Sequence, residues 1–270
     1  MKTSPIGIFD SGIGGLTVAK EIIRLLPSES IVYLGDTARV PYGIRDKKTI
    51  TEFSLELTRF LLKQKVKVLV VACNTISATS LSQIQKLSPV PVIGVIDATI
   101  QQALKTSRNQ SIGVIGTRAT IKSNAYEKDI IKLNKRAKVI SKACPLFVPL
   151  SEEGFVNHPA SKLIADEYLN IYKHSKIDTL ILDCTHYPIL ENLIQKAVGK
   201  KITLVDSAHP TAKALKELLE KENLLNSSSK PIHKFYVTDA PERVYKIANL
   251  FFNNRFPGKL EKVDIFKQEA

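Results

Sequence analysis

The sequence predicts an α/β protein made of two pseudo-symmetric α/β domains with mainly parallel sheets. Three observations carry this prediction. Short β-branched runs alternate with amphipathic stretches along the chain, the pattern of βαβ units whose sheets are covered on both faces. The second half restarts the first: SIGVIGTRAT (111–120) echoes PIGIFDSGIG, and DTLILDCTH (178–186) echoes KVLVVACNT (67–75), at nearly constant offset. The length of 270 residues fits one large or two modest domains. With 44% apolar and 24% charged residues the chain can build a packed core, which excludes collagenous, coiled-coil and broadly disordered classes.

In order, IGIF (6–9) reads as a buried strand, followed by a glycine turn and a helix over 16–26 that Pro27 stops. IVYL (31–34) is the next strand. A charged and apolar helix spans about 46–64, then come strands over 66–72 and 92–96 and a helix around 98–105. In the second half the repeated strand-and-loop units follow, and LFVPL (146–150) is an apolar, strand-like run. Beyond Val205, Asp206 and Ser207 come a helix over about 210–222, an Asn-Ser-Ser-Ser loop (226–229), the strand HKFYVTD and a short helix. This tail is expected to pack back on the first half. The expected domains are therefore 1–97 plus 207–270, discontinuous, and 98–206, in close contact because no low-complexity linker separates them.

Charge and cysteine usage narrow the class. The formal net charge of +13 suits an acidic ligand or weak polyanion contact. The lysines are spread out, however, without the aromatic-interleaved basic run of a single-strand binder, so nucleic acid is not expected as the main partner. Three cysteines lie far apart, at 73, 144 and 184, and no charged, apolar, then small-residue leader is visible. A reduced, cytoplasmic protein is the expectation. No apolar run approaches the roughly 20 residues of a membrane helix, so no membrane partner is expected.

In open α/β sheets ligands sit beyond the carboxyl ends of the strands. Asp10-Ser11, Asp36-Thr37, Cys73-Asn74-Thr75, Gly116-Thr117 and Cys184-Thr185-His186 fall at such ends. Cys144 reads as an ordinary buried hydrophobe. Cys73 and Cys184 differ: each ends an apolar run, precedes hydrogen-bonding residues, and occupies the same place in its half, so the two can face each other across a cleft. A facing thiol pair has three readings. A permanent disulfide is disfavoured in a reducing compartment. A metal site wants about four close ligands, and Cys-x-His plus a remote Cys73 falls short. Acid/base catalysis on opposite faces of one carbon suits a thiol, whose ordinary pKa near 8.5 lets neighbours set it as thiolate or thiol. One group in each form is the minimum for inverting a carbon centre through a planar carbanion.

The loop DSGIGGLT (10–17) exposes backbone N–H groups suited to an anion, but it has neither the P-loop ending nor the dinucleotide spacing. It reads as a tight turn that presents Asp10 and Ser11 and can receive a carboxylate. Taken alone, Pro41-Tyr42-Gly43 is an ordinary turn and Glu152-Glu153 a solvated pair. His186 is the one histidine placed to influence a candidate thiol.

Together, GIFDSGIGGLTVAKEI, VYLGDTARVPYG, VVACNTISA, GVIGTRATI, PLSEEGF, CTHYPIL and VDSA resemble, in content and order, the motifs of glutamate racemases, in the cofactor-independent aspartate/glutamate racemase family. The resemblance covers about residues 6–208. It implies an active site between two similar α/β domains, no cofactor and no metal. It also implies that Cys73 abstracts the α-proton of D-glutamate and Cys184 that of L-glutamate. Asp10 then assists Cys73, while His186 and Glu152, chosen over Glu153 by motif position, assist Cys184. Asp10, Ser11, Pro41, Tyr42, Gly43, Asn74, Thr75, Thr117, Thr120, Thr185 and His186 resemble substrate-binding positions; Asp36 lies in a motif without an assigned chemical role. A homodimer that supplies D-glutamate for peptidoglycan in a bacterial cytoplasm is implied as well.

The chain departs from the family pattern at Ile76, where a small residue is common, at Ser151, where an apolar one is, and at Asp183, where Gly is frequent. A carboxylate aimed at Cys184 would raise that thiol's pKa, but strand alternation aims adjacent side chains to opposite faces. With a first strand starting near residue 6, the N-terminal extension of racemases controlled by a cell-wall nucleotide precursor is not expected. Two rival functions are an aspartate or related amino-acid racemase and a basic polyanion-binding or regulatory protein on the same fold.

Overall fold

The computed structural model describes residues 2–227, 230–252 and 254–266. The first half runs β1 (Ile6–Asp10), α1 (Leu16–Leu25), β2 (Ile31–Gly35), α2 (Lys47–Lys63), β3 (Val68–Val71), α3 (Asn74–Leu87) and β4 (Val92–Gly94), with a 3₁₀ turn at Tyr42–Ile44. Next come α4 (Ile96–Thr106), β5 (Ser111–Gly116), α5 (Arg118–Ser123), α6 (Ala125–Leu133), β6 (Lys138–Ala143), α7 (Phe147–Glu152), α8 (Pro159–Lys173) and β7 (Thr179–Asp183). A second 3₁₀ turn at Tyr187–Leu190 leads to α9 (Glu191–Val198) and β8 (Thr203–Val205), and the chain closes with α10 (Ala208–Lys221), β9 (His233–Val237), α11 (Pro241–Phe251) and β10 (Leu260–Lys262).

Two sheets form, in the orders β10-β9-β2-β1-β3-β4 and β6-β5-β7-β8, and every pairing is parallel. The order β2-β1-β3-β4 in the first sheet has the same topology as β6-β5-β7-β8 in the second, so β1 corresponds to β5 and β3 to β7. The register sharpens the equivalence. Gly7 pairs with Leu69 and Gly113 with Leu180. In each case a Cβ on the glycine would press on that leucine, at 2.9 Å and 2.7 Å. Cys73 follows Leu69 at the same interval as Cys184 follows Leu180, so the two thiols leave equivalent strands at equivalent points. β9 and β10 extend the first sheet beyond β2.

Strand alternation sorts the core. Ile6 and Ile8 of β1, Ile112 and Val114 of β5, and Ile181 of β7 face one continuous cluster that joins the two sheets through Ile96, Ile100, Ala212 and Leu215. The opposite faces carry separate clusters, one with Phe9, Leu69 and Val71 under α2 and α3, the other with Leu180, Leu182 and Cys184 under α7, α8 and α9. At the N-terminal edge of the first sheet, far from the strand ends that bear the thiols, Lys67 and Glu29 form a fully buried ion pair, Nζ to Oε2 at 2.5 Å.

Two expectations change. LFVPL is helical: it opens α7, where Pro149 lies in the first turn and lacks only an N–H that no helical carbonyl would have received. The strand expected over 92–96 stops at Gly94, because Ile96 already opens α4; a short apolar run cannot by itself separate a strand from a buried helix start. In the loop 226–229, Ser228 and Ser229 lie outside the described residues.

Candidate active site

The carboxyl ends of β1, β3, β5 and β7 converge on one small cavity. Ser11, Pro41, Tyr42, Gly43, Cys73, Asn74, Thr75, Thr117, Cys184, Thr185 and His186 line it, together with Val40 and Val148. Of the other expected residues, Asp10 lies behind Cys73, Thr120 stands beneath Thr117, and Glu152 borders a neighbouring cavity beyond His186.

On the Cys73 side, the residue occupies the N-cap position of α3 without a side-chain capping bond, and its thiol donates to Ser11 Oγ at 3.4 Å. Asp10 Oδ2 accepts from the N–H groups of Gly12 (3.2 Å) and Gly15 (3.0 Å). Two of the loop amides that seemed free for an anion are therefore occupied by the chain's own carboxylate. Burial pushes the Asp10 carboxyl above its ordinary range, partly offset by the charge of His186 and the Gly15 amide. Burial, then the negative charge of Asp10, pushes the Cys73 thiol up as well. Cys73 is thus held as a thiol with a carboxyl group beside it.

On the Cys184 side, Sγ stands 3.7 Å from His186 Nδ1. The far nitrogen, Nε2, lies 3.3 Å from Glu152 Oε1. Glu153 turns the other way, to an exposed ion pair with Arg243 at 2.6 Å. Burial alone would lower the His186 pKa, but hydrogen bonding to Cys184 and Glu152, reinforced by their charges, overrides it and pushes the value up to about 10. With a folded pKa above the ordinary 6.5, this cluster contributes stability fully below about pH 6.5 and loses it as pH rises through about 10. The stability gap between wild type and His186→Gln should accordingly be constant in acid and shrink between those limits. An imidazole that titrates near 6.5 by NMR would contradict this.

Glycines in the first loop serve close approach. A Cβ on Gly14 would overlap Thr185 Oγ1 and stand 2.7 Å from His186 Nδ1, while one on Gly15 would stand 2.7 Å from Asp10 Cβ. Gly14→Ala should displace the Cys184 loop and lower kcat/KM by about a hundredfold, since misplacement on the ångström scale costs that much. Unchanged kinetics would mean that the loop yields freely.

Polar side chains complete the walls. Thr75, Thr117 and Thr120 share hydroxyl contacts of 3.0 to 3.4 Å. Pro41 follows a cis peptide bond, and the Tyr42 hydroxyl bonds to Asp36 Oδ2, which also accepts from Arg39 Nε at 2.6 Å. Asp36 thus anchors the Pro41-Tyr42-Gly43 wall from behind. Cys144 is fully buried in the apolar cluster under α7 and α8, as a core hydrophobe would be. Val40 and Val148 carry no polar sequence signal at strand ends, and reading the sequence missed them. Adjacency to Pro41 for Val40, and to the Glu152 motif for Val148, were the available hints.

The sequence profile of the Asp/Glu/Hydantoin racemase family matches residues 6–215. A glutamate racemase of Syntrophus aciditrophicus is 48% identical over 262 residues, 97% of each chain, and one of Chlorobaculum parvum is 48% identical over 94% of each. Among solved structures, a glutamate racemase isoform of Bacillus anthracis superposes with a TM-score of 0.94 at 40% identity, over 98% of both chains. A glutamate racemase of Francisella tularensis in complex with D-glutamate does so with a TM-score of 0.91 at 40% identity, over 98% of this chain and 99% of that one.

Proposed function

The chain belongs to the Asp/Glu/Hydantoin racemase family and is a racemase, and from that premise we propose that it interconverts L- and D-glutamate by a two-base mechanism. The observation that carries this reading is the pair of thiols on equivalent strand ends, lining one cavity, each with its own proton-handling neighbour. D-glutamate loses its α-proton to Cys73, and Cys184 returns a proton to the opposite face; L-glutamate runs the reverse path. Asp10 exchanges protons with Cys73, and His186, oriented by Glu152, with Cys184. A Cys73 thiolate beside Asp10 is costly in the free protein. The substrate's ammonium group in the same cavity lowers that cost by opposite charge. Ser11, Asn74, Thr75, Thr117, Thr185 and the Pro41-Tyr42-Gly43 wall offer fixed donors for the two substrate carboxylates, and carbanion character gains from dipoles that need no reorganisation.

The reading calls for no metal and no cofactor. It places the chain in a bacterial cytoplasm, as a homodimer, supplying D-glutamate for peptidoglycan. Among the described residues no helix is long and apolar enough to cross a membrane.

The direct experiment follows each glutamate enantiomer in deuterated buffer by circular dichroism and NMR. Inversion of both enantiomers with solvent deuterium at Cα supports the proposal. Turnover of aspartate but not glutamate would retain the chemistry and overturn the substrate.

A further inference from the structure

Asp183 adjoins Cys184 in the chain, yet its side chain points away from it. Leu180, Leu182 and Cys184 share one cluster, whereas Ile181 belongs to the opposite one, so alternation sends Asp183 toward α4 and α6. It is fully buried there. Gly116, its partner on β5, leaves the space: a Cβ on Gly116 would overlap Asp183 Oδ2. No hydrogen bond of ordinary geometry reaches either carboxyl oxygen from the described residues, although the Tyr126 hydroxyl stands close enough to act on the carboxyl group. The hydroxyl beside it is already committed. Tyr126, which sits against Asp183, donates to Asn74 Oδ1 at 3.1 Å, and Thr99, which sits against Tyr126, donates to the Val95 carbonyl at 2.6 Å.

A carboxylate accepts only, and with no donor it would be an uncompensated buried charge. A carboxylic acid has a proton to give, and the Tyr126 oxygen, its own proton spent on Asn74, still has lone pairs to receive it. Burial pushes the Asp183 carboxyl well above the usual carboxylate range, in the same direction. A proton on Asp183, which sits against Tyr126, would extend in one direction the bond that Tyr126 O–H already makes to Asn74 Oδ1. That bond assigns the Asn74 amide: with Oδ1 taken, Nδ2 remains, and Nδ2 is buried and without a partner on a residue that lines the cavity.

We propose that Asp183 and Tyr126 are positioning residues that lock the Asn74 amide with its NH₂ group toward the cavity, as a donor to a carboxylate oxygen of the substrate. The proposal rests on the glutamate racemase reading above. It links the segment after one thiol to the strand before the other, and it gives the carboxyl group at 183 a role that leaves the Cys184 thiol untouched.

The test is steady-state kinetics with both glutamate enantiomers, with unfolding curves as a check on folding. Tyr126→Phe and Asp183→Ala should each raise KM about fivefold, the usual range for one lost hydrogen bond, with kcat within about twofold. Asp183→Asn, whose amide can still donate to Tyr126 Oη, should keep the wild-type KM. Tyr126→Phe should add nothing to KM in an Asn74→Ala background, because both act on one donor. Should Asp183→Ala not fold, Tyr126→Phe alone and on Asn74→Ala carries the test. Unchanged KM in a folded, active Tyr126→Phe protein overturns the inference alone. So does an Asp183→Asn protein as impaired in KM as Asp183→Ala. A wild type that turns over neither glutamate enantiomer overturns the function proposed above, and this inference with it.

Discussion

Replacing either Cys73 or Cys184 with alanine is expected to lower racemisation in both directions by about 10³-fold or more, the scale of a lost general acid or base in a step that needs both. The symmetry of the loss is the informative part. Each direction requires one thiol to remove the α-proton and the other to deliver a new one, so neither single variant keeps a competent direction. Cys144→Ala is the matched control. Cys144 is equally free of disulfide bonding, but it lies in the apolar cluster under α7 and α8, outside the cavity. It should lose some stability and retain kcat. Polarimetry on the three variants decides the matter. Near-normal racemisation by Cys73→Ala or Cys184→Ala would remove that thiol from the mechanism.

Lys67→Met is expected to destabilise the fold by about 3–5 kcal/mol, the cost of leaving one member of a buried ion pair alone. Both side chains are 1% exposed. Lys67 Nζ uses all three donors, to Glu29 Oε2 at 2.5 Å, to the Lys2 carbonyl at 2.7 Å and to the Leu224 carbonyl at 2.8 Å. Glu29 Oε1 in turn accepts from the Asn226 N–H at 2.8 Å. The substitution therefore strands a carboxylate and two carbonyls together. A chain of this size should melt about 10 °C lower as a result. Combining Lys67→Met with Glu29→Leu removes both charges and should recover part of the loss. Calorimetry of the two variants tests it: a Lys67→Met protein within about 1 kcal/mol of wild type would show that water reaches the pair.

The pair itself was invisible in the sequence. Nothing in the lone Lys67 ahead of an apolar run, or in Glu29 within a Pro-Ser-Glu-Ser turn, announces that sheet assembly will seal them together. Other features were legible because their cause is local. The period of β-branched and amphipathic runs placed β1, α1, β2, α2, β3, β4 and α4 in order. The repeated Gly and Cys motifs anticipated two sheets of like topology, since the register pairs Gly7 with Leu69 and Gly113 with Leu180. Most of the polar residues expected at strand ends line one cavity, because parallel strands carry their carboxyl ends to the same edge, while Thr37 lines a neighbouring cavity and Asp36 lies behind Tyr42.

What failed or stayed open was set by partners distant in the chain. LFVPL has the composition of a strand, but Phe147 packs edge-on against Tyr168 and Tyr187, and the segment turns as helix. Glu152 and Glu153 are interchangeable on paper. Only the docking of α7 against the second thiol loop puts one near His186 and leaves the other for Arg243 on α11. The glycines of the first loop read as a tight turn able to receive a carboxylate, with nothing to say which one. Folding shows that Gly14 makes room for Thr185 and His186, and that Asp10 occupies two of the amides.

By itself, then, the sequence determined the order of most first-half elements, the duplicated topology, the candidate thiols and the residue types around them, because periodicity and motif spacing act over a few residues. The tertiary structure decided which carboxyl group meets which base, how deeply each is buried and where Asp183 points. Those depend on desolvation and on contacts between segments distant in the chain, for which a linear string holds no local signal.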